Sequence, residues 1–233
     1  MKRSYDKEMM DLPGNDAELL AEDLLNLRRL NRYLNGCRSV ILGFKQALGG
    51  DKLKNFSALD IGTGSADIPA ALHAWATAKG FATTIVGLEA EALTAGIATT
   101  RSKPFAGVKI VQGDGSAPPF SPKSFDFVVA SQFLHHFSEE KMIELLKRWA
   151  TLARKGIVIS DLIRHPLAYH GIRLLTKLAT RNVMTLTDAP LSVRRALTFK
   201  EWRELFLQAA VGPVEMFSVF PFRMAAAISL GSR

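Results

Sequence analysis

The stretch Phe56-Ser-Ala-Leu-Asp-Ile-Gly-Thr-Gly-Ser-Ala-Asp-Ile-Pro69 constrains the fold more than any other part of the chain. Its apolar run, Phe56 to Ile61, reads as a buried strand that carries an acidic residue, Asp60, just before it turns. Gly62 and Gly64 permit a tight turn, and from Ala66 the sequence turns helical. Strand, glycine turn and helix N-terminus together aim backbone N–H groups and the positive end of a helix dipole at one spot, which suits a nucleoside ligand. The third glycine of a dinucleotide fingerprint is missing, because Gly62-Thr63-Gly64-Ser65-Ala66 runs on to Asp67. That disfavours a nicotinamide or flavin dinucleotide, whose diphosphate needs close backbone approach. Asp60 would also repel a diphosphate, and it favours a ligand with an amino group.

Upstream, Asn15 or Asp16 is placed to cap a helix that runs to about Asn35, with Gly36 as its stop. Leu20, Leu24, Leu27 and Leu34 share one face of it, and a second short helix spans about 39–48. Downstream the pattern alternates. Strands are expected at 56–61, 83–89, 108–113, 125–131 and 157–160, and helices at 66–79, 91–100, 138–153 and 200–210. Two last apolar runs, 214–219 and 223–230, read as a closing hairpin. The pattern implies an α/β fold with a doubly wound, seven-stranded, mostly parallel sheet. Residues 1–50 form N-terminal helices ahead of a sheet domain at 51–233, and about 162–198 is a helical insert before the penultimate strand. An insert of that length on the ligand-facing edge reads as a lid or substrate wall.

With 233 residues, 48% of them hydrophobic and 22% charged, the chain can bury one sizeable core without staples. Cys37 is the only cysteine, so no internal disulfide or cysteine-rich zinc site can form, and no metal ligation is read from the sequence. The basic N-terminus lacks the apolar core of a signal peptide, and Met224–Leu230 is too short to span a bilayer, so a cytoplasmic location is expected. The net charge of +8 is uneven. Residues 1–146 hold 16 Lys/Arg against 17 Asp/Glu, whereas 147–233 hold 14 against 5. Such a basic half suits nucleic acid, an anionic membrane surface or an acidic substrate, or simply solubility.

Acidic or polar residues close the other parallel strands too: Glu89 in Ile-Val-Gly-Leu-Glu, Asp114 in Val-Gln-Gly-Asp-Gly, and Ser131-Gln132 ahead of Phe-Leu-His-His-Phe. With Asp60, Gly62 and Gly64, this ordered set over about 56–162 resembles the motifs of the class I S-adenosylmethionine (SAM) dependent methyltransferases. The resemblance implies that Asp60, Gly62, Thr63 and Gly64 bind SAM, that Glu89 and Ala90 meet its ribose, and that Asp114 and Gly115 meet its adenine. Ser131 and Gln132 would then lie near its methionine portion. The segments at 9–14, 160–169, 190–196 and 220–223 are similar to one group of bacterial methyltransferases. That likeness implies small phenolic, quinone or polyketide-type acceptors.

A sulfonium methyl is already activated, so alignment supplies much of the rate, and a base is needed only when the acceptor must lose a proton. His135 and His136 follow the fourth strand, and if the strand persisted they would point to opposite sides. His165, Tyr169 and His170 are acceptor-side alternatives, with Asp161 placed to orient one of them. After Pro166 the insert shows an apolar stripe (Leu167, Gly171, Leu174, Leu178) beside a basic one (His170, Arg173, Lys177, Arg181). That helix, 166–181, would cover an apolar acceptor or make peripheral membrane contact. Methyl transfer to the oxygen of a small, largely apolar acceptor is therefore expected, with His135, His136 and His165 as catalytic candidates. An RNA methyltransferase and a SAM-binding protein without turnover are the alternatives. Against RNA, Ser131-Gln132-Phe133-Leu134 stands where an amino-directed nucleic-acid methylase has Asn/Asp-Pro-Pro-aromatic. Both a monomer and a homodimer fit the sequence.

Overall fold

The computed structural model describes residues 1–12, 14–50 and 53–231. Pro13, residues 51–52 at the proposed domain boundary, and 232–233 lie outside the described residues. The helices are α1 (Ala17–Tyr33), α2 (Gly36–Leu48), α3 (Asp67–Ala78), α4 (Ala92–Ser102), α5 (Glu139–Leu152), α6 (Pro166–Ala179), α7 (Val183–Arg195) and α8 (Phe199–Ala209). The strands are β1 (Asn55–Ile61), β2 (Ala82–Glu89), β3 (Val108–Gln112), β4 (Phe125–Ser131), β5 (Ala153–Leu162), β6 (Val214–Val219) and β7 (Arg223–Ser229). They form one sheet of seven strands in the order β3-β2-β1-β4-β5-β7-β6. The first five are parallel, and β7 runs antiparallel to both of its neighbours. Successive strands are added on one side of β1 up to β3 and on its other side from β4, and such sheets bind ligands at that switch.

Alternating side chains on the central strands build two cores. On one face Phe127, Val129 and Val158 pack with Val40 and Phe44 of α2 and Leu72 of α3. On the other, Val128, Ala130 and Ile159 pack with Trp149 of α5 and Trp202 of α8. The two N-terminal helices thus part company. α2 belongs to the sheet core, whereas α1 packs on α7. Their junction is Asn35 in the left-handed conformation (φ 59°), not a glycine stop at Gly36, which already begins α2 and lies against Asn31.

Helix ends follow local chemistry. Asp16, Ser138 and Thr198 each accept a bond from the first turn of the helix they precede, and Thr198 with Glu201 completes a capping box. The insert contains two helices, α6 and α7, packed on each other. Leu174 and Leu178 of α6 are exposed, so the outer half of the apolar stripe faces outward, while Leu167 and Gly171 border a cavity. Among the described residues no helix is long and apolar enough to cross a membrane.

Candidate active site

At the carboxyl ends of β1, β2 and β4 lies a polar cleft of about 490 Å³. Gly62 (φ 65°) and Gly64 (φ 54°) both take left-handed backbone, which a side chain resists. At Gly62 a Cβ would also collide with the Phe133 ring, so the turn has no room there for any other residue. Thr63 donates its hydroxyl to Asp60 Oδ2 at 2.7 Å, and Gly64 N–H donates to Glu89 Oε2 at 2.9 Å. The two acidic strand ends are thereby fixed to one turn.

Several polar atoms here have no protein partner. Asp60 Oδ1 and Ser131 Oγ are buried and make no hydrogen bond. Buried polar groups are normally satisfied, so such atoms mark a place for a ligand with matching donors. Burial pushes the Asp60 carboxyl up to about 8, against the Thr63 hydrogen bond and with help from the like charges of Asp67 and Glu89. Burial also raises Glu89, opposed by the N–H groups of Glu91, Gly64 and Ala90. Both carboxyls would gain from a ligand that brings positive charge or hydroxyl donors.

The structure gathers Asp60, Gly62, Thr63, Gly64, Glu89, Ala90, Ser131 and Gln132 into this one cleft. Asp114 and Gly115 are not among its lining residues. The Asp114 carboxylate accepts from Ser116 N–H (2.7 Å) and Ser116 Oγ (2.6 Å), bonds that hold it ionised below the usual range. Gly115 is buried, with its carbonyl accepting from the Trp149 indole at 3.0 Å.

His135 and His136 also line the cleft. β4 ends at Ser131, and the chain then tightens into a 3-10 turn at Leu134–His136, so the rings stack 4.4 Å apart instead of pointing to opposite sides. His135 is only 3% exposed, and its Nδ1 lies 2.7 Å from Asp161 Oδ1. Asp161 thus orients His135 rather than His165, Tyr169 or His170, because β4 and β5 are paired neighbours whose ends adjoin at Ser131 and Ser160. His136 Nδ1 lies 2.8 Å from Asp11 Oδ2. His165 is exposed, caps α6 by accepting from Leu167 N–H at 3.2 Å, and stacks on Phe222 outside the cleft.

Sequence reasoning missed the N-terminal strap. Residues 3–11 cross the cleft edge: Ser4 N–H donates to the Arg194 carbonyl (3.0 Å), and Met9 and Met10 N–H groups donate to the two Asp188 oxygens (2.8 and 3.0 Å). Arg195 donates to the carbonyls of Asp6 and His136. Glu8, buried, reaches to 3.6 Å from His135 Nε2 and accepts from Ser192 Oγ at 3.0 Å. Burial alone opposes a charged ring, but Asp161 and then Glu8 outweigh it and push His135 up to about 10. In this state His135 is a cation at neutral pH and cannot serve as a base until something displaces its proton.

Beside the cleft lies a second, mostly apolar cavity of about 290 Å³, walled by Leu27 and Leu30 of α1 and Leu34 at its end, Ala168, Ile172 and Leu175 of α6, and Val193 of α7. It shares Leu27, Asn31, Gln132 and Ser192 with the cleft, so the two spaces adjoin. Its polar wall is a short network in which Gln132 Nε2 donates to Asn31 Oδ1 (2.6 Å) and buried Arg223 donates to the Leu34 carbonyl (2.8 Å).

Residues 58–156 match the family model of a methyltransferase domain. Human N-acetylserotonin methyltransferase, solved in complex with SAM, is 17% identical with a TM-score of 0.64, over 99% of this chain and 63% of that one. An O-methyltransferase family 2 protein from Planctomyces limnophilus, in complex with apigenin, is 16% identical with a TM-score of 0.64, over 95% of this chain and 63% of that one. A SAM-dependent methyltransferase from Aquifex aeolicus is 12% identical with a TM-score of 0.63, over 93% of this chain and 100% of that one. The chain therefore spans less than two thirds of the first two proteins. No curated protein matches it. Residues 58–156 thus resemble a methyltransferase domain, and the chain as a whole shares the fold of these solved methyltransferases.

Proposed function

We propose that the protein transfers a methyl group from SAM to a hydroxyl of a small, largely apolar acceptor of phenolic or polyketide type. The observation that carries this reading is the junction of the polar cleft with the apolar cavity through Leu27, Asn31, Gln132 and Ser192. One space suits a charged nucleoside, and the other suits an apolar body that reaches it. Bound SAM supplies an activated methyl whose leaving group is a neutral thioether.

The residues then divide the work. Asp60 takes the ammonium of the methionine portion, because its unpartnered Oδ1 and its burial both call for a cation. Glu89 takes the ribose hydroxyls. Asp114, two of whose acceptor sites serve Ser116, keeps others for the adenine amino group. Ser131 Oγ and Gln132 border the methionine portion. The leucines of α1 and the apolar face of α6 and α7 exclude water and align the acceptor, which is where most of the acceleration arises. His136 activates the acceptor hydroxyl, His135 joins it only once its proton is displaced, and His165 has no part in the proposal.

The test is to incubate the protein with methyl-labelled SAM and a host lysate, then count label in organic-soluble, RNA and protein fractions. Label in the organic phase is expected. Label confined to RNA would replace this reading with the nucleic-acid one.

A further inference from the structure

We propose that Glu8, His135 and His136 form a binding site for a divalent first-row transition-metal ion at the cleft edge, whose open positions hold the acceptor oxygen. The three side chains each present a ligand atom, and these atoms lie within 4.8 Å of one another. Each imidazole already has Nδ1 committed, to Asp161 at 2.7 Å and to Asp11 at 2.8 Å. A carboxylate behind Nδ1 fixes the tautomer and leaves the Nε2 lone pair for a metal, the usual outer arrangement of histidine ligands. His135 Nε2 is buried and has no hydrogen-bond partner, and it lies 3.6 Å from Glu8 Oε1, too far for a hydrogen bond. Ligands at about 2.1 Å from an ion stand about 3–3.4 Å from one another, so closing on it needs side-chain shifts of about an ångström.

Charge points the same way. With both imidazoles neutral, the carboxylates of Glu8, Asp11 and Asp161 adjoin them. Against these three carboxylates stand two guanidiniums, Arg195 at 3.8 Å from Glu8 and buried Arg223, which interacts with the Asp161 charge. A mostly buried site with that negative excess needs protons or a cation. Two imidazoles and a carboxylate select a transition metal over magnesium or calcium, which prefer all-oxygen shells. Glu8, His135 and His136 all line the cleft, so the remaining coordination positions open toward the reacting groups. There a dication lowers the pKa of a bound acceptor hydroxyl, and its proton leaves to water. The oxygen then forms a bond to the methyl carbon while the S–C bond breaks with its electron pair going to sulfur. That last role rests on the methyl-transfer reading, whereas metal binding does not.

The experiment uses chelator-stripped full-length protein, titrated with Co²⁺ and Zn²⁺ by calorimetry and visible absorption, without SAM or acceptor. One equivalent is expected, with Co²⁺ ligand-field bands of a nitrogen–oxygen site. Affinity should fall at least tenfold in Glu8→Gln and His135→Ala and about tenfold in Asp161→Asn, and stay within twofold in His165→Ala. Should a variant fail to fold, Mn²⁺ broadening of the His135 and His136 imidazole signals in wild-type protein decides the matter. No stoichiometric binding, broadening centred on other residues, or binding that survives His135→Ala in folded protein would overturn the site. Stoichiometric binding with methyl transfer unchanged by chelation would overturn its role toward the acceptor oxygen.

Discussion

The cleft and the cavity share a wall but are built by opposite means. The cleft is made of strand ends and a glycine turn, and its polar atoms are set by backbone geometry within β1, β2 and β4. The cavity is made of side chains from α1, α6, α7 and the loop before β7, brought together from distant parts of the chain. A cofactor pocket can therefore be rigid and general, while the acceptor pocket beside it is free to vary with the helices that form it. The difference predicts that substitutions on the two sides have separable effects.

The largest expected effect tests the cleft. Asp60→Ala and Glu89→Ala should each weaken SAM binding at least tenfold, about 1.4 kcal/mol, by titration calorimetry. If both keep wild-type affinity, the cleft is not the cofactor site. The next tests the cavity. Gly171 borders it, and no atom lies within 4 Å of where its Cβ would stand, so a leucine there extends into free space. Replacing an α6 glycine also favours the helix by up to about 1 kcal/mol, so stability should hold. Gly171→Leu should lower kcat/KM for the acceptor about tenfold, ~1.4 kcal/mol, with cofactor affinity within twofold. Equal losses on both sides would erase the distinction between the two spaces.

The last test is read in stability rather than in binding or turnover, and concerns Asp60 itself. Its folded pKa of about 8 lies above the ordinary 3.8. Such a carboxyl stabilises the fold at low pH and loses that contribution as pH rises through the folded value, because the buried group must then ionise. Asp60→Asn escapes this loss. In cofactor-free protein its Tm should gain on the wild type as pH goes from about 4 to about 8, about 2–4 °C for each 1 kcal/mol. A difference that does not change with pH would mean that Asp60 is already compensated.

Much of the cleft was legible because it is local. Phe56 to Pro69 carries strand, turn and helix start in one short stretch, and Glu89 ends a strand whose pattern is equally local. Where reading failed, distance or local geometry was the reason. The stacking of His135 on His136 depends on a 3-10 turn that periodicity does not signal, and Asp161 meets His135 only because β5 lies next to β4. Asp114 stands at its strand end as expected, yet the nearby Ser116 competes for its oxygens. The second insert helix, α7, was missed because Pro190 interrupts its pattern. A Met-Met-Asp segment at the N-terminus offered a resemblance but no sign of where it would dock.

By itself, then, the sequence determined the alternating fold, the order of the strands along the chain and the acidic strand ends of the cleft. Each depends on residues within a few positions of one another, where backbone preference and apolar spacing decide. Only the tertiary structure brought Glu8 and Asp11 to the histidine pair, turned α6 and α7 against α1 to enclose an apolar cavity, and left Asp60 Oδ1 buried without a partner. Those outcomes come from packing and charge pairing between segments more than a hundred residues apart, which no local pattern encodes.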